Sequence, residues 1–251
     1  MKRSFNILTT ALAVGILSAG LAAQTASAAR YDQDIETRVE KRLADHKEFR
    51  NIQTTTEDGI VTLTGTVELY QQKLDAAKNA RKADKVQGVR NLLEVSSNVP
   101  DSELSARLNR KLYYDRIGYD NLFNYVTASV NNGVVILVGE TRTDVSSDSA
   151  AYLASTMPGV KEVVNNIKVA RVSNFDDDIR IAATRAIYRD PVLSRYAIDP
   201  ASPIRIVVNN GTLSLYGTVE NTMDKNMAGI RANSVFGVFK VENNLEVANR
   251  S

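Results

Sequence analysis

The chain has no cysteine and no tryptophan in 251 residues, and His46 is its one histidine. Without cysteine there is no disulfide, no thiolate metal site and no thiol nucleophile. His46 sits in the charged run Asp45-His46-Lys47-Glu48 and reads as a solvated residue, since one histidine cannot build a zinc site. No Gly-x-Ser-x-Gly elbow is present, and no glycine pair is followed by Lys-Ser/Thr. Hydrolase and phosphate-loop chemistry therefore have no motif to rest on. An excess of one charge is missing too. Apart from Lys2 and Arg3, 29 basic residues face 29 acidic ones. Each third of the chain is balanced as well, so there is no general nucleic-acid footprint. These absences predict a non-enzymatic protein with no cofactor, no metal and no nucleic-acid partner.

A long apolar run occurs only at the start. Lys2 and Arg3 precede a mostly apolar or small stretch, Ile7 to Ala23, and Ala26-Ser27-Ala28 supplies small residues for cleavage. Residues 1–28 are expected to be a secretory signal peptide cut after Ala28, giving a periplasmic product. The alternative is an uncut anchor, although Thr9, Thr10, Ser18 and Gly20 interrupt the run.

What is present is repetition. Asp58-Gly59, Asn132-Gly133 and Asn210-Gly211 each precede an alternating run that reaches Gly65, Gly139 or Gly217. A Gly-Val step follows each time, at Gly88, Gly159 and Gly237. A unit of about 70 residues that recurs this way is a domain. The expected divisions are residues 29–98, 99–172 and 173–251.

Each copy opens with apolar residues four apart: Ile35, Val39 and Leu43; Leu104, Leu108 and Leu112; Ile179, Ala183 and Ile187. That spacing lines one helix face. Asp32, Asp101-Ser102 and Asp176-Asp177-Asp178 lie just ahead and read as helix caps. The triplet lacks the alternating ligands of a calcium loop. The Asp-Gly and Asn-Gly turns predict hairpins. Gly65, Gly139 and Gly217 fall on the buried parity and suggest close approach of a helix to the sheet. A second helix then leads to a last strand, which is least distinct in copy one. The fold class is α+β: three tandem α-β-β-α-β modules, each a three-stranded sheet with two helices on one face.

These residues resemble the BON domain family, whose pattern is a turn glycine, a strand ending in glycine, an alanine-rich helix, then Gly-Val and Asn-x-Leu/Val. Here Gly59, Gly65, Ala76, Ala77, Ala80, Gly88 and Val89 carry it in copy one. Copy two has Gly133, Gly139, Ala150, Ala151, Gly159, Val160, Asn166 and Val169. Copy three has Gly211, Gly217, Ala228, Gly237, Val238, Asn244 and Val247. The resemblance implies an envelope protein linked to osmotic or envelope stress that binds phospholipid surfaces or membrane-associated partners, or a soluble periplasmic chaperone. It carries no catalytic residues over.

Three surfaces are candidates for binding. Lys78, Arg81, Lys82 and Lys85, extended by Lys73, form a basic stripe with Leu74, Ala77 and Ala80 opposite. It suits anionic headgroups, or is an ordinary solvated face. Tyr113, Tyr114, Tyr119, Phe123 and Tyr125 cluster in copy two, as core or as interface. Finally, the outward strand parity is Thr62, Thr64 and Thr66 in copy one and Thr212, Ser214 and Thr218 in copy three. In copy two it is Val134, Ile136 and Val138. That middle face is expected to be covered by a neighbour, a second chain or a client.

Overall fold

A computed structural model of the chain describes residues 15–96, 99–114, 121–198 and 203–248. Tyr119 and the first half of the leader lie outside the described residues. Copy one comprises α1 (Gly15–Ala44), β1 (Ile52–Glu57), β2 (Ile60–Val67), α2 (Tyr70–Arg81), β3 (Gly88–Asn91) and a two-residue β4 (Glu94–Val95). Copy two has α3 (Asp101–Tyr114), β5 (Tyr125–Asn131), β6 (Val134–Thr141), α4 (Asp144–Ser155) and β7 (Glu162–Val169). Copy three has α5 (Asn174–Tyr188), β8 (Arg205–Asn209), β9 (Thr212–Val219), α6 (Thr222–Asn233) and β10 (Lys240–Val247). Three α-β-β-α-β modules are therefore present. Helix α1 runs unbroken through Ala28-Ala29, and no described helix is long and apolar enough to cross a membrane.

In every module the second strand is central. The first strand pairs with it antiparallel, as in Val126 with Gly139, and the third pairs parallel, as in Val135 with Val163; in copy one β4 also pairs with β2, making four strands there. The antiparallel pair closes through the dipeptide turns. Asp58, Asn132 and Asn210 have φ of 51, 52 and 50°, and the following glycines 75, 78 and 72°. Two successive positive φ values make the type I′ turn that matches strand twist. Parallel pairing requires a crossover, and the second helix supplies it.

The four-residue spacing lands where it was expected: Ile35, Val39, Leu104, Leu108, Ala183 and Ile187 are fully buried. Opposite them lie Val61 and Leu63, Val135 and Leu137, and Leu213 and Leu215. The second helix contributes small residues, Ala76 and Ala80, Ala150 and Ala154, and Ala228 and Ala232. Their size lets the helix settle on the sheet without a void.

Three local readings are corrected. At Gly65, Gly139 and Gly217 the obstacle to a Cβ is a backbone carbonyl beside the first strand: Asn51, Tyr125 or Pro203. No helix makes the close approach, and φ there is 116, 137 and 113°. Secondly, Gly88 is not the counterpart of Gly159 and Gly237. The hydrogen bonds Gln87 N to Gly59 O, Lys161 N to Gly133 O and Phe239 N to Gly211 O fix the equivalence. By that register Lys85 matches the two glycines, and it holds their left-handed conformation at φ 68°.

The third correction concerns the aspartates read as helix caps, which lie within α1 and in the first turns of α3 and α5. Asp32 accepts from the N–H groups of Asp58 and Gly59 at 3.1 and 2.8 Å. Asp101 accepts from Asn132 and Gly133 at 2.6 and 2.9 Å, and Asp176 from Asn210 and Gly211 at 3.0 and 2.8 Å. Each carboxylate therefore clamps a hairpin turn with both oxygens and ties the first helix to the sheet. The cap of α5 is instead Ser173, which accepts from Asp176 N.

By contact density the chain forms two compact units, one of residues 1–67 and 72–94, the other of 68–71 and 95–251. Copies two and three share the second unit.

Candidate membrane and inter-module surfaces

Helix α2 ends at Arg81, so the basic residues do not form one helical stripe. Lys73, Lys78 and Arg81 are helical, while Lys82 and Lys85 occupy the turn that follows. Leu74 is not opposite them either. The buried side is Ala76 and Ala80, and Leu74 is 42% exposed. Leu74, Ala77, Lys78, Arg81 and Lys82 line one shallow groove. Its cations make no ion pair among the described residues, whereas the nearby carboxylate of Asp84 pairs with Arg38 at 3.6 Å. Lys85 points elsewhere: its ammonium lies 5.2 Å from the ring centroid of Tyr31. The result is an apolar spot bordered by three free cations.

Copies two and three meet through side chains from both. Tyr125 stacks on Tyr216, centroids 4.2 Å apart and rings within 6° of parallel. Burial pushes the Tyr125 hydroxyl up, and Glu246 and Tyr216 push it the same way. Arg205 is buried; it donates to Tyr113 O at 2.6 Å and lies over the Tyr113 ring at 5.2 Å. Arg142 of copy two reaches Asp177 of copy three, Nε to Oδ1 and Nη2 to Oδ2, both at 3.3 Å. Arg180 holds the same carboxylate at 2.6 Å. Burial pushes Asp177 up, but the hydrogen bonds and charges of Arg180 and Arg142 outweigh it and hold the carboxyl below its usual range. The short turn Asn121–Phe123 lies against β8, with Leu122 and Phe123 packed on the core of copy three. A cavity of about 260 Å³ remains at the junction, between Asn109, Tyr113, Tyr125, Arg205 and Glu246.

The outward parity of copy three is partly covered: Arg205, Val207 and Ser214 are buried, Thr212 is half-buried and Thr218 is exposed. In copy two, Ile136 and Val138 are 36 and 44% exposed, Val164 beside them is exposed too, and Val134 is half-buried. The described residues of its own unit do not cover that face. Sequence reasoning missed Arg205 and Val207 because it followed the central strand and left the first strand unread. Of the tyrosines, Tyr113 belongs to the junction, while Tyr114 is largely exposed, edge-on to Tyr113. Reasoning from the sequence also passed over Phe175, Phe236 and Phe239, all exposed at one end of copy three. The signal was the bracketed step Phe236-Gly237-Val238-Phe239. His46 contacts Phe49 and lies 3.5 Å from Glu48. No group of metal-ligating side chains is found among the described residues.

Comparison with known proteins gives a consistent answer. The family model described as the BON domain matches residues 31–97, 100–171 and 184–249. Osmotically-inducible protein Y of Escherichia coli (strain K12) is 29% identical over 147 residues, covering 55% of this chain and 72% of that protein. A second relative, described as an uncharacterized protein in the gshII 5′ region of Anaplasma centrale, is 27% identical over 145 residues. That match covers 55% of this chain and 94% of that protein. Among solved structures, CdsD, a structural protein of the type III secretion system of Chlamydia trachomatis, is similar at 13% identity and TM-score 0.25. It covers 86% of this chain and 92% of that one. The PrgH periplasmic domain follows at 13% identity and TM-score 0.20, covering 80% and 96%. At those scores the structural likeness carries no argument.

Proposed function

The chain belongs to the BON domain family, and from that premise we propose an exported, non-enzymatic envelope protein, serving under osmotic or envelope stress, that binds anionic phospholipid surfaces. The observation that carries the reading is the groove on α2: Lys78, Arg81 and Lys82, unpaired, around the exposed Leu74. Each cation near an anionic membrane contributes about 1 kcal/mol, and three together supply about a hundredfold in affinity. The relative named for osmotic induction supports the stress setting, and the order Lys2-Arg3, apolar run, Ala26-Ser27-Ala28 supports export.

Vesicle flotation tests the proposal. Wild type should float with phosphatidylglycerol-containing vesicles at low salt. The triple variant K78E/R81E/K82E should bind about a hundredfold more weakly. Binding undiminished by either charge reversal or high salt would assign the membrane contact elsewhere. Export is tested by intact mass, which should begin at Ala29 in the periplasmic fraction.

A second reading, a soluble chaperone or scaffold, has its own observation: the exposed apolar sheet face of Ile136, Val138 and Val164. Suppression of client aggregation without lipid, lost on Ile136→Lys, would favour it.

A further inference from the structure

The largest exposed apolar side chains lie at one end of copy three. Phe236 is 97% exposed and Phe239 78%, with Phe175 beside them. They arise from two adjoining segments. Phe236 and Phe239 bracket the turn between α6 and β10, and Phe175 starts α5. Contacts hold Phe239 and Phe175 in place. Phe239 N donates to Gly211 O at 2.9 Å, and the Phe239 ring lies on the face of Gly211, where a Cβ would collide. The Phe175 ring stacks on Phe239 with centroids 5.7 Å apart, and it occupies the space a Cβ on Gly237 would need. This is an ordered aromatic tip rather than a loose loop.

By the register set out above, the same three positions hold Tyr31, Asp84 and Gln87 in copy one and Pro100, Pro158 and Lys161 in copy two. Only copy three carries phenylalanine at all of them, so the repeat itself does not require it. Charges flank the tip. From Ala232 to Lys240 and from Ile206 to Val219 the one charged side chain is Lys240, which pairs with Glu242 at 2.6 Å. On the first turn of α5, Asp176 spends both oxygens on the Asn210 and Gly211 amides, Asp177 pairs with Arg180 and Arg142, and Asp178 is exposed.

We propose that this phenylalanine tip is a membrane-insertion site that enters the interfacial region of a phospholipid bilayer; the proposal rests on the membrane reading above. The rings are exposed at the start of α5 and in the turn between α6 and β10. Directional recognition by a protein would use hydrogen-bonding groups and a complementary hollow. A bilayer interface accepts an exposed apolar tip with no directional demand. Stable anchoring by weak elements takes two signals. The basic groove of copy one supplies a salt-sensitive signal and the tip a salt-insensitive one.

The lack of tryptophan makes the test clean. The full-length variant Phe236→Trp carries a single indole at the tip. With vesicles of phosphatidylcholine and phosphatidylglycerol its emission should shift to the blue and be quenched by acyl-chain-brominated lipid. Both signals should persist at about 1 M salt, where the Debye length is about 3 Å. Adding Phe239→Ser should weaken partitioning at least roughly tenfold, with the circular dichroism spectrum unchanged. An indole that stays unshifted while the protein floats through its basic groove overturns the insertion site and leaves the membrane reading standing. No flotation at all overturns both. A blue shift without vesicles that grows with protein concentration overturns the proposal in favour of self-association.

Discussion

Asp32, Asp101 and Asp176 perform one task in three places, and a residue-scale prediction follows from it. Each carboxylate accepts two backbone N–H groups from a turn whose φ values are positive. Hydrogen bonds to a charged group are worth about 1.5–3 kcal/mol each. Asp176 is the most buried of the three, so loss of its carboxylate leaves the Gly211 amide stranded. Asp176→Ala should destabilise copy three by about 3 kcal/mol, and Asp176→Asn by about half as much, because an amide offers one acceptor in place of two. Denaturant unfolding of the full chain checks this. Equal, negligible effects for both variants would mean that the turn holds without the clamp. The same residue scale explains what the sequence concealed. The aspartates were visible, but a helix cap and a turn clamp ask for the same residue at the same place. What separates them is the partner, an Asn-Gly or Asp-Gly step 26 to 35 residues away, and nothing local discloses it. Lys85 is a similar case: its left-handed φ was invisible because the glycine that marks the position in the other copies is replaced by lysine.

At the scale of elements, periodicity was the readable part. Helices, hairpins and crossover strands lie where spacing of four, alternation and the dipeptide turns put them, because those signals are carried by contacts within one module. Legibility failed where a surface meets something outside its module. The threonine and serine parity of β9 looked solvated, yet Ser214 and its partner Val207 on β8 are buried, and the turn Asn121–Phe123 of copy two lies against β8. Helix α2 stopped at Arg81, one turn short of the basic run, so the cations came together as a groove around Leu74. For copy two, the exposed strand face gives an element-scale expectation. Ile136 pairs with Ser129 and Val164 and stays on the surface. Ile136→Lys should therefore leave the stability of copy two within about 0.5 kcal/mol of wild type. It should also abolish any client binding or self-association that uses the face. A loss of several kcal/mol in thermal unfolding would show instead that the residue is part of the core.

On the scale of the whole molecule, the junction of copies two and three couples two modules. Tyr125 on Tyr216, Arg205 on Tyr113 and Arg142 on Asp177 are all contributed across that junction. A stacked aromatic pair is worth about 1 kcal/mol beyond its burial. Removing an arginine that donates to a buried carbonyl adds about 1–3 kcal/mol. Copies two and three should therefore melt as one cooperative transition at neutral pH. The double variant Tyr125→Ala/Arg205→Ala should split it into two, while the clamp and core of each module stay intact. Acid should loosen the same junction. Asp177 is held below its ordinary range, so its contribution is fully present above the unfolded value of about 3.9 and is lost as pH falls through the lower folded value. The sign is fixed by that direction: protonation removes the partner of Arg142 and Arg180, and as pH falls below the unfolded value and through the lower folded one the wild type should come to resemble the double variant. Calorimetry at neutral pH and in steps below about pH 3.9 separates the outcomes. A single transition that persists in the variant and in acid would mean that the two modules are coupled by the packing of Leu122 and Phe123 on β8 and not by the polar and aromatic contacts.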